Sequence, residues 1–182
     1  LLIDNVIRDA QMFADAGTPI YFVYNADYRG RIYPLSTQFS PQGTDVSKGL
    51  LNFAEPCWVE TDEAVDQIAY VIANNYGEDK LSIADRIQWT HDHTEEILAC
   101  ALDYKSTDFW LKADKPFMFL NGCLEWAKVV GASMSEEGGF WSTLPIAFDG
   151  SCNGIQNFSA MFLDESGAIA TNLVDSDTPN DI

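Results

Sequence analysis

The chain has 182 residues, of which 47% are apolar, and its formal net charge at pH 7 is −18. This composition is typical of a folded globular protein and excludes a disordered chain, and no apolar run approaches the ~20 residues that a membrane-spanning helix requires, so we expect no membrane association. The four cysteines are widely spaced without a CxxC pair, which argues against a zinc or redox motif and predicts reduced, mostly buried thiols.

The first part of the chain predicts a helix followed by a β-hairpin. Apolar residues recur at helical spacing over residues 1–15, and a Gly-Thr-Pro sequence ends that pattern. The branched and aromatic run at 20–24 predicts a strand, and residues 31–36 predict the return strand. The turn between these strands places residues 27–31 at the tip of the hairpin.

The middle of the chain, residues 56–138, predicts a helical segment. Thr61 is a good N-cap with two acidic residues in the following turn, and an apolar face then runs to a terminating glycine. The helical pattern continues through 83–102 and 117–130. Residues 131–139 are predicted to form a loop.

The last part of the chain predicts a buried strand and another helix. The short apolar run at 143–148 is bounded by an Asp-Gly pair, and residues 153–163 have helical character. We therefore expect an α+β fold, with β-structure towards both ends and a helical, acidic insert between them.

The negative charge is unevenly distributed. The net charge is −2 over residues 1–55, −10 over 56–138 and −6 over 139–182, where no basic residue occurs. A net charge of −18 argues against nucleic-acid binding, but three of the four cations of the first segment lie within twenty residues of one another. These cations are Arg29, Arg31 and Lys48. The acids of the middle segment are interpreted as a solvated surface, and the acids-only last segment suits cation binding.

Asp149 is the residue most suggestive of chemistry. It stands where the predicted strand of residues 143–148 ends, so its carboxylate would project from a rigid element, as a catalytic or metal-binding acid requires. Gly150 allows a close backbone turn whose carbonyl could also face a cation. Oxygen ligands of this kind suit Mg²⁺. From these two residues alone, however, a simple Asp-Gly turn is the favoured interpretation.

The predicted hairpin tip is the second suggestive group. Arg29 and Arg31 flank a glycine, and guanidinium groups at this spacing can both address a phosphate. Tyr24, Tyr28 and Tyr33 add flat surfaces suited to sugars and bases. A solvated turn held by an ion pair between an aspartate and an arginine explains the same residues equally well.

Three runs of sequence resemble one family. The run 24–33, YNADYRGRIY, looks like the DxxGR signature of single-subunit DNA-directed RNA polymerases, the bacteriophage and mitochondrial type. The run 41–51, PQGTDVSKGLL, continues that resemblance. The run 144–156, LPIAFDGSCNGIQ, is similar to motif A of the same family. The first and last motifs occur in the family's order, with their aspartates separated by about 120 residues.

The resemblance implies an internal part of a right-hand polymerase palm with short antiparallel strands. Residues 1–17 would be a helix from the end of the thumb region, and 18–55 the first part of the palm with the DxxGR motif. Residues 56–138 would be a helical insertion in the palm, and 139–182 the motif A strand and the helix after it. Both ends of the chain are interpreted as cuts.

The resemblance also implies a metal site. Asp149 would be a catalytic ligand in a two-metal Mg²⁺ site, with the carbonyl of Gly150 beside it. The second catalytic aspartate of the family would lie outside this chain, so the chain alone is expected to be inactive. The reaction implied is template-directed nucleotidyl transfer from NTPs to the 3′ end of RNA.

Nucleic-acid contacts are implied for residues of the hairpin and of the following segments. Arg29 and Arg31 would hold the template and the RNA–DNA hybrid, Tyr33 and Gly154 would line the hybrid's minor groove, and Lys48 would approach phosphates. The whole predicted set is Asp27, Arg29, Arg31, Tyr33, Lys48 and Gly154. Two positions depart from the usual family pattern, since Tyr28 replaces a tryptophan and Asn157 replaces a histidine.

The implied partners are a DNA template, an RNA transcript and NTPs, within a monomeric parent polymerase. The implied location is the cytoplasm of an infected bacterial host, or alternatively the mitochondrial matrix. Two other functions stay open. The chain could be a non-catalytic acidic scaffold, or a metal-dependent phosphohydrolase that uses Asp149 with Asp164 and Glu165. A polymerase predicts that Asp149 and the 27–31 tip face one cleft, whereas a scaffold predicts no such convergence.

Overall fold

The computed structural model describes residues 2–36, 39–133, 138–147, 152–174 and 180. Within these ranges it contains helices and two small antiparallel sheets, which confirms the predicted α+β class. The elements in chain order are α1 (Leu2–Ala16), β1 (Tyr24–Ala26), β2 (Ile32–Pro34), α2 (Asp45–Gly49), β3 (Cys57–Val59), α3 (Asp62–Tyr76), α4 (Ile83–Asp92), α5 (Thr94–Leu102), a 3₁₀ turn (Trp110–Lys112), α6 (Pro116–Ser133), β4 (Phe140–Ser142), α7 (Gly154–Phe162) and α8 (Glu165–Ala170).

The larger hydrophobic core lies where α6 packs against α3 and α5. Phe119 and Trp126 of α6 are almost fully buried there, against Ile72 of α3 and Ile97 of α5. Helix α3 begins where the sequence predicts, because the Thr61 hydroxyl accepts a hydrogen bond from a backbone N–H of its first turn. This core holds the helices of the insert together and also includes Leu144, which lies beyond the predicted end of the insert.

A smaller core lies between α1, the segment after it and α2. Val6, Phe39 and Val46 are buried at its centre. The ring of Phe39 stacks on Phe13 at 6.0 Å between centroids and meets the edge of Phe22 at 6.2 Å. This cluster supports the segment that leads into the β1–β2 hairpin.

The two cores meet where α2 lies on the first turn of α6. The carboxylate of Asp45 accepts hydrogen bonds from the backbone N–H groups of Phe117 (2.9 Å) and Met118 (3.0 Å). A Cβ on Gly49 would lie 2.5 Å from the Phe117 carbonyl carbon, so only glycine permits this approach of the two backbones. Helix α2 is therefore attached to the insert by both hydrogen bonding and shape.

Arg86 of α4 is a buried cation that ties α4 to α3. Its guanidinium donates to the hydroxyl of Tyr70 and the side-chain oxygen of Asn74, each at 2.9 Å. It also donates to the carbonyls of Leu81 and Asp79 at 2.8 Å, and it lies 5.0 Å from the centre of the Tyr70 ring. The many neutral acceptors offset the cost of burying this charge.

Two strands predicted from the sequence differ from what the structure shows. The run 20–24 was expected to be a strand, but β1 covers only Tyr24–Ala26, where pairing partners on β2 are in register. Residues 143–147 were also expected to be a strand, but they form no ladder among the described residues. A branched, apolar run satisfies strand propensity, yet a strand also needs a neighbour to pair with its backbone groups.

The insert also departs from the predicted pattern. Cys57–Val59 forms β3, which pairs with β4 (Phe140–Ser142) across a long separation in sequence. Helix α6 continues to Ser133, into the region predicted to be a loop. His93 separates α4 from α5, so the helical run 83–102 is two helices. The β3–β4 pairing was not predicted, because a pairing between distant segments carries no local periodic signal in the sequence.

No helix in the described part of the chain is long and apolar enough to cross a membrane. The four cysteines are free: Cys100 and Cys123 are buried, Cys152 is partly buried and Cys57 is exposed. The prediction of burial is thus confirmed for the two cysteines in the core of the insert.

We predict that Arg86→Ala destabilises the α3–α4 pair by about 3 kcal/mol, because it leaves several buried acceptors without a donor. Hydrogen exchange of α3 and α4 peptides in the full-length protein should accelerate accordingly. Arg8→Ala is the matched control, since Arg8 is an exposed cation paired with Asp9. Equal exchange in wild type and Arg86→Ala would contradict the structural role.

Candidate nucleic-acid interface

The β1–β2 hairpin is closed by a tight turn at the predicted tip. The N–H of Asp27 donates to the Arg31 carbonyl at 2.8 Å, and the N–H of Gly30 donates to the Asp27 carbonyl at 3.0 Å. Gly30 has φ +80°, a left-handed conformation that glycine adopts without a steric penalty. The register pairs Asn25 with Tyr33, so the hairpin predicted from sequence is confirmed with its tip at residues 27–31.

The carboxylate of Asp27 organises this turn. One oxygen accepts hydrogen bonds from the N–H groups of Arg29 (2.8 Å) and Arg31 (2.9 Å). The other oxygen accepts from the Arg29 guanidinium at 3.3 Å. The hydrogen bond from the Arg31 N–H is the main cause that holds the pKa of Asp27 below its ordinary value of 3.8, with those from Arg29 adding to it.

The two arginines of the tip have different surroundings. The Arg29 guanidinium is paired with Asp27 and lies 5.4 Å from the centre of the Tyr28 ring. The Arg31 side chain is exposed, and no carboxylate within the described ranges pairs with it. The ion-paired turn therefore accounts for Arg29 and leaves Arg31 available to an external anion.

Aromatic rings surround the tip and are open to solvent. Tyr28 is 94% exposed, Tyr24 47% and Tyr33 42%. An exposed ring gains from stacking on a flat partner, so this surface combines a free cation with several stacking faces. Such a combination suits a phosphate backbone with sugars or bases attached to it.

Lys48 lies apart from the tip, at the edge of a cleft of about 920 Å³. Tyr24 of the hairpin lines the same cleft, as do Asn52 and Asn121, whose side chains are hydrogen-bonded to each other at 3.1 Å. The two asparagines were not predicted, because they are 69 residues apart and neither belongs to a local motif. Their hydrogen bond joins two distant segments of the chain in the lining of the cleft.

The predicted metal ligands Asp149 and Gly150 lie outside the described residues. The segment immediately before them, Leu144–Ala147, lines the cleft together with Lys48 and Tyr24. The cleft thus contains Tyr24 of the hairpin and the 144–147 segment, but residues 27–31 are not part of its lining, so the convergence of the tip with Asp149 stays a prediction. In the part of the chain that the structure describes, no group of three or more His, Cys, Asp or Glu residues could hold a metal ion.

Gly154 is the first residue of α7 and is exposed. Its φ is not positive, and a Cβ built on it would meet no atom within 4 Å. Neither conformation nor packing among the described residues therefore requires glycine here. Asn157, the departure from the family pattern, donates to the side-chain oxygen of Asn153 at 3.0 Å on the solvent side of α7.

Asp164 and Glu165, the further acids that a phosphohydrolase would need, lie at the start of α8. The backbone carbonyl of Asp164 accepts a hydrogen bond from the N–H of Ala168, and its carboxylate lies against Gly167. This placement explains Asp164 as a residue that shapes the α7–α8 connection.

A sequence profile of the family described as DNA-dependent RNA polymerase matches residues 60–182. The chain is 41% identical over 177 residues, 97% of its length, to the DNA-directed RNA polymerase of Enterobacteria phage T3, and equally to T7 RNA polymerase of Escherichia phage T7. It is 36% identical over 165 residues, 89% of its length, to the mitochondrial DNA-directed RNA polymerase 1B of Nicotiana tabacum. The matched regions are 19% of each phage protein and 16% of the plant protein, so the chain spans about a fifth of the length of the phage relatives.

We predict that Asp27→Ala opens the hairpin tip, because two backbone N–H groups and one guanidinium lose their acceptor. Amide exchange at Arg29 and Arg31 should accelerate about tenfold. Asp27→Asn keeps the oxygen that accepts from both N–H groups and should retain most of this protection.

The pH dependence of amide exchange at the tip provides the control. The pKa of Asp27 is lowered in the folded hairpin. The carboxylate therefore stabilises the tip fully above pH 3.8, and this stabilisation is lost as the pH falls through the pKa of the folded state. The Asp27→Asn variant should show no such transition. If the amides of Arg29 and Arg31 exchange at the same rate in Asp27→Ala and in wild type, the carboxylate does not organise the tip.

Proposed function

The chain belongs to the family of single-subunit DNA-dependent RNA polymerases, and we propose that it forms part of the palm of such an enzyme. The proposed activity of the whole protein is DNA-directed, Mg²⁺-dependent nucleotidyl transfer from NTPs to the 3′ end of RNA. The observation that carries this proposal is one cleft lined by Tyr24 of the DxxGR hairpin, by Lys48 and by the segment that leads to Asp149.

Asp149 is the proposed metal ligand of this chain, with the carbonyl oxygen of Gly150 beside it. Both donors are hard oxygens, which fits Mg²⁺. Bound Mg²⁺ would activate the RNA 3′-hydroxyl and stabilise the charge that develops on the leaving pyrophosphate. The contribution proposed for the chain itself is to support this carboxylate through the preceding segment 144–147, whose first residue is buried in the larger core.

The hairpin is the proposed contact with template and hybrid. Arg31 has an exposed guanidinium without an ion-pair partner in the described ranges, so it can bind a phosphate without first breaking a salt bridge. Arg29 must exchange Asp27 for a phosphate or hold both. Tyr33, exposed on β2, offers a ring to a sugar or base, and Asp27 contributes by fixing the loop.

Gly154 is the proposed point of closest approach to the hybrid's minor groove. Since nothing among the described residues requires glycine there, the space beside it is available to a molecule outside the chain. Lys48 lines the cleft and has no ion-pair partner among the described residues, so its ammonium is proposed to address a phosphate there.

The proposed partners are a DNA template, an RNA transcript and NTPs, with a monomeric parent enzyme. Its proposed location is the cytoplasm of an infected bacterial host, or the mitochondrial matrix, since the relatives include both phage and plant mitochondrial proteins. The acidic-scaffold alternative predicts no convergence of the 27–31 tip with Asp149. The cleft that Tyr24 of the hairpin shares with the 144–147 segment supports the polymerase proposal over it.

We predict that Asp149→Asn in the full-length protein lowers Mg²⁺-dependent RNA synthesis by about three orders of magnitude or more, while template binding is retained. RNA synthesis is measured by promoter-independent extension of a preassembled RNA–DNA hybrid, and template binding is measured by filter binding. Asp164→Asn is the matched control and should extend at the wild-type rate. Near-normal activity of Asp149→Asn would remove the basis of the proposal, and an equal loss of RNA synthesis in Asp164→Asn would show that the effect is not specific to Asp149.

We predict opposite effects of Gly154→Ala on stability and on activity. A methyl group at the first turn of α7 should stabilise the helix by up to about 1 kcal/mol, but in the hybrid's groove it should slow extension by about tenfold. Gly131→Ala is the matched control, because Gly131 is an exposed residue of α6 whose Cβ would also meet nothing within 4 Å. If both variants extend at the wild-type rate, Gly154 does not approach nucleic acid.

A further inference from the structure

Asp45 has an unusual role for a residue at the start of a short helix. Its two carboxylate oxygens accept from the N–H groups of Phe117 and Met118, which belong to a helix more than 70 residues later in the chain. Helix α6 starts at Pro116, and the first N–H groups of any helix have no partner inside it. Lys115, which precedes Pro116, cannot accept a hydrogen bond through its side chain. Asp45 therefore supplies the N-terminal cap of α6 from outside that helix.

The charge of Asp45 suits this position as well as its geometry. The N-terminus of an 18-residue helix carries a partial positive charge, which a carboxylate in contact with its N–H groups stabilises. An asparagine would keep one acceptor oxygen and lose the charge, whereas an alanine would lose both acceptors. A graded series of variants can therefore separate the parts of this contact.

Two further contacts prevent α2 from moving on α6. Gly49 lies so close to the backbone of Phe117 that no side chain would fit between them. The fully buried Ser47 hydroxyl donates to the carbonyl of Ser40 and accepts from its N–H, both at 2.8 Å, which ties α2 to the preceding loop. Within α2, Lys48 follows Ser47 directly and lines the cleft.

We propose that Asp45 is a positioning residue, which fixes α2 on α6 and thereby sets where the Lys48 ammonium meets a phosphate of the RNA–DNA hybrid. This inference rests on the function proposed above and adds a role for the insert to it. The insert does not touch the nucleic acid at this point; it holds in place, through the first turn of α6, the helix that does.

The test is a double-mutant cycle in the full-length protein, with Lys48→Ala, Asp45→Ala and the double variant. The probe is a short RNA–DNA hybrid with a single-stranded template extension, and its Kd is measured over a range of salt concentrations. Lys48→Ala should weaken binding by about fivefold to tenfold near 0.1 M salt and reduce the slope of log K against log salt by about one. Asp45→Ala should do the same although Lys48 is present, and the double variant should be no weaker than either single one.

Asp45→Asn and Ser82→Ala separate positioning from general stability. Asp45→Asn, which keeps one acceptor, should recover part of the affinity and part of the slope. Ser82→Ala removes the side-chain cap of α4 elsewhere in the insert, so it should lower the thermal stability and leave both binding readouts unchanged. All binding is measured below the unfolding temperature of the least stable variant.

Two results would overturn the inference. If the losses in Asp45→Ala and Lys48→Ala add in the double variant, or if Asp45→Ala leaves the salt slope unchanged, Asp45 does not act through Lys48. If Lys48→Ala itself has no effect on Kd or slope, there is no phosphate contact for Asp45 to position. RNA synthesis by the same wild-type preparation then distinguishes this failure from a failure of the proposed polymerase function, because synthesis would persist in the first case and be absent in the second.

Discussion

The arrangement of this chain depends on the contact between α2 and the first turn of α6. On one side is the small core that supports the hairpin, and on the other is the core of the helical insert. Three features join the two cores. The Asp45 carboxylate binds the start of α6, Gly49 allows the two backbones to touch, and the ring of Phe117 packs on the smaller core. A hydrogen-bonded cap has one geometry, and two backbones in contact leave no room to slide. The cleft between the cores therefore has a defined shape.

The electrostatics of the chain are organised at two scales. Over the whole chain, the net charge of −18 opposes the approach of a polyanion. Over a few ångströms at the hairpin, the Asp27 carboxylate binds the N–H groups of Arg29 and Arg31 and holds the turn that presents both side chains. One arginine is neutralised by that same carboxylate and the other is exposed, so the turn has a fixed loop and an available cation. Local geometry rather than net charge thus decides what this surface can bind.

Elements with a local cause were predicted well from the sequence. The helix at Thr61 has its cap beside it, and the hairpin has its turn residues between its strands, so each carries its signal within a few residues. The strand predicted at 20–24 is displaced to Tyr24–Ala26, and the described residues of the predicted 143–148 strand form no ladder. The β3–β4 pairing was not predicted, since strand formation depends on a partner that lies far away in sequence. For the site, the motifs predicted the hairpin residues and Asp149, whereas the pairing of Asn52 with Asn121 was found only in the tertiary structure.

The sequence by itself determined the family, the helices of the insert, the position of the hairpin and the residue types available for phosphate and metal binding. These properties follow from periodicity, turn chemistry and motifs, which act over short stretches of chain. The tertiary structure alone decided that Arg29 pairs with Asp27 while Arg31 has no carboxylate partner in the described part of the chain. It also decided that Lys48 shares a cleft with the 144–147 segment and that Asp45 caps a helix more than 70 residues away. Each of these depends on which distant atoms come within hydrogen-bonding or contact distance, and that distance is set by the packing of the two cores.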